Sequence, residues 1–188
     1  GVLSNDEESL GAMWRVLQGI GAAAALRTLT IRGHGHQPLT HIADAPHFSA
    51  VLLHLRSLTV TEWRAPSHVD LSPAVLLRTL NLEDVILTED LDALPSITLP
   101  PQLRKLSLER VGSDTRDGNP DEGPLAVDFT QAPLLRDIVF HEVGLTALDL
   151  SAAVDEPLSI AEYDCLDLAH LKLPTSGKTW VTSLRAAT

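Results

Sequence analysis

Leu77-Arg-Thr-Leu80-Asn-Leu82 carries a pattern of apolar residues that returns along the chain. Its alternation predicts a short strand in which Leu80 and Leu82 face one side and Thr79 and Asn81 face the other. Six copies begin at Leu26, Leu55, Leu77, Leu103, Leu135 and Leu168. Successive copies start 22 residues (Leu55 to Leu77) to 33 residues (Leu135 to Leu168) apart. A repeat of this length is typical of a solenoid, in which each unit packs on its neighbours.

The segments around these strands complete the predicted domain. We expect the 188 residues to form one domain, with repeats over 26–173 and a C-terminal cap or tail over 174–188. Acidic residues followed by apolar residues at helical spacing predict a capping helix within 1–21. Residues 43–53 favour a short helix, 70–77 a turn, and the polar stretch 112–124 an exposed loop. The expected fold is an α/β solenoid with a parallel sheet of about six short strands.

Composition narrows the class of partner. The chain has 14 basic and 25 acidic residues, a formal net charge of −11, so its field repels phosphate backbones. We therefore expect no nucleic acid and a protein partner with a basic or neutral surface, although solubility alone also explains the charge. The single cysteine, Cys165, cannot form an intrachain disulfide, which favours a reducing, cytoplasmic location. The sequence contains no run of about 18 apolar residues, so it predicts no membrane span.

The six copies resemble the strand pattern of leucine-rich repeat proteins. The fifth unit follows that family furthest, because Leu135, Ile138 and Phe140 are followed by Leu145 and Leu148. One position departs from the pattern: the family usually carries Asn or Cys three residues after the third apolar residue. The residues found there are His34, Trp63, Val85, Val111 and Val143. The turns must therefore satisfy their backbone groups in another way, and the array is expected to be less regular.

Two phrases resemble narrower groups of leucine-rich proteins. Leu99-Pro-Pro-Gln-Leu103-Arg-Lys-Leu106-Ser-Leu108 is similar to the repeats of type III secreted virulence effectors, several of which carry a ubiquitin-ligase domain. Ala132-Pro-Leu-Leu-Arg136 is similar to repeats behind fungal F-box motifs. Either resemblance implies the substrate-recognition domain of a larger effector or E3 ubiquitin ligase. The effector resemblance also implies a place in the host cell cytoplasm after secretion.

The resemblance implies that the polar strand positions line a concave face that binds a protein. The residues expected to contact the partner are Arg32, Thr59, Thr61, Trp63, Asn81, Glu83, Lys105, Glu109 and His141. Two alternatives stay open. Thr is common at exposed strand positions for reasons of propensity alone, and Trp63 has a second interpretation as a packing residue that covers a turn. The convex side also remains a possible binding surface.

Five arginines follow the first leucine of their repeats and should stack into a column. They are Arg27, Arg56, Arg78, Arg104 and Arg136. Such a column has two interpretations. It binds phosphate or an acidic peptide, or each arginine pairs with a nearby carboxylate.

Patterns that suggest chemistry are weak in this chain. His34, His36, His41 and His47 lack the convergent Cys or carboxylate ligands of a zinc site. Cys165-Leu-Asp167 matches the active-site spacing of one bacterial ubiquitin-ligase family, but burial of Cys165 as a small apolar residue accounts for it better. Ser176-Gly-Lys-Thr179 lacks the earlier glycine of a phosphate-binding loop. We expect a non-catalytic module with no catalytic residues, cofactor or metal.

Overall fold

The computed structural model describes residues 26–33, 52–65, 67–87, 94–113, 124–145, 147–153, 158–163, 170–172 and 179–183. In chain order the described strands are β1 (Thr28–Arg32), β2 (Ser57–Ala65), β3 (His68–Asp70), β4 (Thr79–Leu87), β5 (Ser96–Thr98), β6 (Lys105–Ser113), β7 (Ala126–Asp128), β8 (Asp137–His141), β9 (Ala147–Asp149), β10 (Leu158–Tyr163), β11 (His170–Lys172) and β12 (Thr179–Ser183). Every pair among them is parallel.

The strands form two layers, between which the chain alternates from β2 onward. The main sheet has seven strands in the order β1-β2-β4-β6-β8-β10-β12. The back strands are β3, β5 and β7, which form one sheet, and β9 and β11, which pair with each other. Buried side chains of both layers belong to one apolar cluster, so the core lies between the layers. The fold is a parallel-strand β-solenoid, which confirms the predicted solenoid and its parallel sheet but not the α/β class.

Register in the main sheet matches the repeat pattern residue by residue. Leu58 aligns with Leu80, Leu106 and Ile138, and Val60 aligns with Leu82, Leu108 and Phe140. These side chains are buried and their neighbours along each strand are not. Since a shift of one residue would turn every core side chain outward, the apolar alternation itself fixes the register.

Four successive units bend sharply, one residue before the position at which leucine-rich repeats usually carry asparagine. Four residues have positive φ at the same place in successive units: Glu62 (54°), Asp84 (52°), Arg110 (48°) and Glu142 (52°). The next residue, for example Val85 or Val111, points back into the core. In β2, β4 and β6 the strand continues through the bend, and pairing resumes at Trp63, Val85 and Val111. The ladder therefore resumes directly after the bend in these three strands.

A second motif recurs at the ends of three back strands. Asp70, Asp128 and Asp149 each accept a backbone hydrogen bond from the residue two positions later, at 2.9–3.0 Å. This is the Asx-turn, and it reverses the chain toward the next main strand. In all three cases the turn residue is Ser or Thr. The sequence signal of these three back strands is thus an Asp between two apolar residues, followed by Ser or Thr.

Asp149 makes the stability of one such turn depend on pH. The Ser151 hydroxyl and backbone amide, followed by Lys172 at 3.0 Å, lower the pKa of Asp149 from 3.8 to about 2. A lowered folded pKa means that the charged form stabilises the fold above about pH 4 and that this contribution is lost between about pH 4 and 2. We expect Asp149→Asn to lower the urea midpoint at pH 7, with no difference from the unsubstituted chain at pH 2.

Two further variants identify the cause of this pH dependence. Ser151→Ala removes the hydroxyl hydrogen bond, which is the largest single cause of the lowered pKa, and keeps the backbone one; Lys172→Met removes the hydrogen bond and the charge of Lys172, so each variant should lose part of the pH dependence. Urea midpoints measured from pH 2 to 7 give the comparison. No loss in either variant would show that neither the Ser151 hydroxyl nor Lys172 sets the pKa of this carboxyl group.

The segments between main strands differ from the α/β expectation. Within the described residues they contain short back strands and tight turns, with helix assigned only at Leu52. The turn expected over 70–77 is present, since Ala74 N donates to Leu71 O and Leu77 N donates to Ala74 O, both at 2.9 Å. Strand β6 runs through Ser113, into the segment expected to be a loop. The capping helix expected in 1–21 and most of the helix expected over 43–53 lie outside the described residues.

The sixth leucine triplet does not belong to the main sheet, which corrects the sequence interpretation. Leu168-Ala-His-Leu171-Lys-Leu173 supplies β11, which pairs with the back strand β9. The main sheet continues instead through β10, and then β12 in the segment interpreted as a cap or tail. Seven strands, rather than about six, therefore form the sheet. The motif predicts a parallel strand correctly but assigns it to the wrong layer.

Candidate functional site

Three parallel rows of side chains cross the outward face of the main sheet. The register aligns Thr28, Ser57, Thr79, Lys105, Asp137 and Ser159 in the first row; Thr30, Thr59, Asn81, Ser107, Val139 and Ala161 in the middle row; and Arg32, Thr61, Glu83, Glu109 and His141 in the third row. None of these side chains is buried. They occupy the strand positions that alternate with the core, which explains why they face away from it.

The middle row offers short side chains to a partner. Thr30, Thr59, Asn81 and Ser107 present hydroxyl or amide groups, and Val139 adds an apolar side chain that is 38% exposed. Short side chains lose little conformational entropy on binding. A partner strand or loop could lie along this row without displacing any long side chain.

Beside the third row lies a dense group of charges, which we call the charged corner. It consists of Arg32, Glu62, Glu83, Asp84, Glu109, Arg110, His141 and Glu142. Arg110 is its centre: its guanidinium binds both carboxylate oxygens of Asp84, Glu109 at 2.6 Å and Glu83 at 3.5 Å. Arg32 donates two hydrogen bonds to Glu62, at 2.9 and 3.2 Å. These contacts connect neighbouring units through their side chains as well as their backbones.

The charged corner keeps an excess of negative charge despite its ion pairs. It has five carboxylates, two guanidinium groups and His141, whose Nδ1 lies 3.5 Å from Glu109. Hydrogen bonding to Asp84 is the main cause that raises the pKa of Arg110, and hydrogen bonding to Glu62 does the same for Arg32. Both arginines therefore stay charged. With His141 neutral, the excess is three negative charges, which favours a cationic partner.

Backbone strain coincides with these charges. Glu62, Asp84, Arg110 and Glu142 occupy the left-handed region, where a residue other than glycine costs about 1–3 kcal/mol. Glycine or asparagine is the usual occupant of such positions. The chain has a charged side chain at all four. Arg110 is compensated by its hydrogen bonds to Asp84 and Glu109, whereas the contact of Glu142 within the described part of the chain is a weaker one, with His141 at 3.9 Å.

The structure brings together eight of the nine residues expected to contact a partner. Arg32, Thr59, Thr61, Asn81, Glu83, Lys105, Glu109 and His141 all lie on the outward face of the main sheet. Lys105 also pairs with Asp137 at 3.0 Å. Trp63 does not join them: only 4% of it is exposed, because it follows the bend at Glu62 and packs in the core. Its interpretation as a packing residue fits this position.

The charged corner contains residues that sequence reasoning did not select. Glu62, Asp84, Arg110 and Glu142 each follow a residue of the third row. Their signal is a break in alternation, in which two polar residues come before the next apolar one, as in Thr61-Glu62-Trp63 and Glu83-Asp84-Val85. A continuous strand would turn the second polar residue into the core. The break therefore indicates a bend.

Other candidate chemistry lies mostly beyond the described parts of the chain. His34, His36, His41, His47, Cys165 and residues 176–178 are outside the described residues. Within the described ranges, no group of three or more His, Cys, Asp or Glu side chains is arranged to hold a metal ion. In the same ranges, no helix has the length and apolar character needed to cross a membrane.

Comparison of the chain with protein-family models, with curated proteins and with solved structures found no match in any of the three.

Proposed function

We propose that this chain is a non-catalytic protein-binding module that holds its partner on the outward face of the main sheet. The partner lies along the middle row and places cationic side chains against the charged corner. The observation that carries the proposal is the alignment of the three outward rows across successive strands, with none of their side chains buried. A face of this kind is large, regular and open.

The charge of the face supports a basic partner. The excess of negative charge lies along one edge, so a basic segment would be attracted there and oriented by it. The positive φ at all four bends supports a functional role for this corner, because costly backbone positions are often kept for function. Short side chains in the middle row leave space for that segment.

We further propose that the module is an irregular member of the leucine-rich repeat class, with its capping helix in 1–21. Its role as the recognition domain of a larger effector or E3 ubiquitin ligase is the alternative. The Leu99-Pro-Pro-Gln-Leu103 phrase favours this alternative, since Leu99, Pro100 and Leu103 are buried at a turn where that repeat class has its own Leu-Pro unit. The sequence on either side of this chain in its gene tests the alternative directly.

Affinity capture with two charge-matched variants tests the binding face. Asn81→Arg adds a long cation in the centre of the middle row, and Thr98→Arg adds the same charge on β5 in the back layer. Protein captured from a lysate of the source organism is quantified by mass spectrometry for each. We expect Asn81→Arg to reduce the specific partner at least about tenfold, the loss typical of disrupting an interface centre. Thr98→Arg should retain it.

Two results would contradict this proposal. Equal capture by Asn81→Arg and the unsubstituted chain would show that the sheet face does not bind. Loss of capture in Thr98→Arg with retention in Asn81→Arg would move the site to the back strands. Matching urea midpoints of the two variants exclude unfolding as the cause of either result.

A further inference from the structure

The predicted arginine column exists, and it lies at the end of the strands opposite the charged corner. The backbone carbonyl of Arg27 accepts from the amides of Arg56 and Ser57, at 2.7 and 3.0 Å. Arg56, Arg78 and Arg104 repeat this arrangement with the unit that follows each of them, at 2.9–3.1 Å. The backbones of five arginines are therefore stacked directly. Neighbouring arginines stand about 4.8 Å apart, which is the spacing of paired strands.

Part of this column lacks countercharge. Among the described residues, Arg56, Arg78 and Arg104 form no ion pair. The side chains of Arg56 and Arg78 are exposed, and the Nε atom of Arg104 is buried without a hydrogen-bond partner in the described part of the chain. Like charges at this spacing repel one another. An anion placed along the column would relieve that repulsion.

An apolar edge, here called the turn ridge, runs beside the column. Each main strand from β2 to β8 is preceded by a tight turn, closed by a hydrogen bond such as Leu55 N to Leu52 O or Leu77 N to Ala74 O. The tips of these turns carry Leu53, Val75, Leu76, Pro101, Pro133 and Leu134. Leu53, Val75 and Leu76 are 43%, 45% and 44% exposed. Each tip lies two or three residues before an arginine of the column, so apolar and cationic groups run side by side.

We propose that the arginine column and the turn ridge together bind an extended acidic peptide that also carries apolar side chains. The column from Arg56 to Arg136 covers three strand spacings, about 14 Å. This is the length of about five residues of an extended peptide, at about 3.3 Å each. Carboxylates of the peptide pair with the guanidinium groups, and its apolar side chains cover the exposed tips. This second surface goes beyond the proposed function, which places a basic partner at the other end of the strands.

The net charge of the chain and the composition of the turn ridge favour a peptide over two other polyanions, an anionic lipid bilayer and single-stranded nucleic acid. A bilayer of anionic lipid is flat and would meet much more of a chain whose formal net charge is −11, whereas a short peptide meets only the column. Single-stranded nucleic acid is usually held by aromatic side chains that stack on its bases. The turn ridge offers Leu, Val and Pro instead.

Fluorescence anisotropy tests the proposal with the full chain. The probe is a fluorescein-labelled peptide that alternates glutamate with leucine over about eight residues, enough at about 3.3 Å per residue to span the column. Arg78→Glu should weaken its binding roughly tenfold, because reversal turns an exposed attraction into a repulsion. Arg32→Glu, with the same change in net charge at the opposite end of the strands, should bind as the unsubstituted chain does. Arg56→Glu provides a second variant of the column.

The apolar half of the site has its own readout. Leu76→Ser should weaken the glutamate–leucine peptide and leave a glutamate–serine peptide unaffected. The proposal is overturned if Arg32→Glu weakens the peptide as much as Arg78→Glu, or if neither arginine of the column matters. Tighter binding to oligo(dT), or to vesicles containing phosphatidylserine, than to the peptide would also overturn it. Loss of peptide binding in Arg78→Glu with unchanged affinity capture separates this site from the proposed function.

Discussion

Replacing Leu106 by alanine should lower the free energy of unfolding by about 2–5 kcal/mol. Leu106 is the second residue of β6, a central strand of the main sheet, is only 1% exposed, and aligns with Leu80 on one side and Ile138 on the other. The substitution removes apolar contacts with both neighbouring units and leaves a cavity between stacked layers. Since each unit packs mainly on its neighbours, β4 and β8 should both be affected. Urea denaturation followed by circular dichroism measures the loss.

Ser107→Ala is the matched control for this substitution, because Ser107 is the next residue of the same strand and faces outward. It should change the unfolding free energy by less than about 0.5 kcal/mol, as most surface substitutions do. Equal losses in Leu106→Ala and Ser107→Ala would mean that the strand does not have a core side and a partner side. The proposed binding face would then lose its structural basis.

Gly33→Ala should have the second large effect, because the backbone leaves no space there for a side chain. Gly33 follows β1 and donates a backbone hydrogen bond to Thr61 O at 2.8 Å. A Cβ at this position would stand 1.7 Å from the backbone oxygen of Glu62 and 2.9 Å from its carbonyl carbon. The end of β1 must therefore move away from β2 and break that bond. We expect a loss of about 1–3 kcal/mol and faster amide exchange at the β1–β2 boundary.

Arg32→Ala separates this close approach from the neighbouring ion pair. It removes the hydrogen bonds to Glu62 but leaves the backbone path unchanged, and an ion pair this exposed contributes little to stability because solvent screens it. Its urea midpoint should fall by less than that of Gly33→Ala. If Arg32→Ala costs as much, the side-chain pair rather than backbone contact holds β1 at the edge of the sheet.

Sequence reasoning predicts the main sheet well because period-two alternation is unambiguous in five of its strands. Leu58, Leu80, Leu106 and Ile138 are core residues by pattern and by structure. The stacking of Arg56, Arg78 and Arg104 follows from the same alignment. A regular repeat fixes which residues lie beside one another even when nothing is known of the turns.

The same alternation misassigns Leu168-Ala-His-Leu171-Lys-Leu173 because a strand of either layer presents one side to the core. Sequence does contain a distinguishing feature: arginine follows the first leucine in the first five copies, and Ala169 follows it in the sixth. Strand β10 escapes notice for the opposite reason, since Leu158-Ser-Ile160 lacks the leading Leu-Arg pair. A copy that begins with Leu-Arg supplies a main strand, so this dipeptide is a more specific signal than the leucines alone.

The candidate site could be predicted only in part. Outward positions such as Asn81 and Glu83 follow from alternation, but the bend at Asp84 does not, because the equivalent positions in the other units hold Glu or Arg, which are not residues that favour positive φ. When the bend is ignored, alternation predicts that Trp63 is exposed at the end of the strand, whereas it is buried. The ion pairs of Arg110 also depend on the bend, which sets Asp84 and Glu109 at the same corner.

Strands β2, β4 and β6 continue unbroken past the bend, and this has a consequence for how the molecule opens. Each is nine residues long; β4 pairs with both neighbours before and after the corner, and β2 and β6 each do so with β4. The segments of these strands before and after the bend are thus parts of one cooperative unit, and neither segment can open while the other stays paired. Amide protons of β4, paired on both sides along its whole length, should be the last to exchange with solvent.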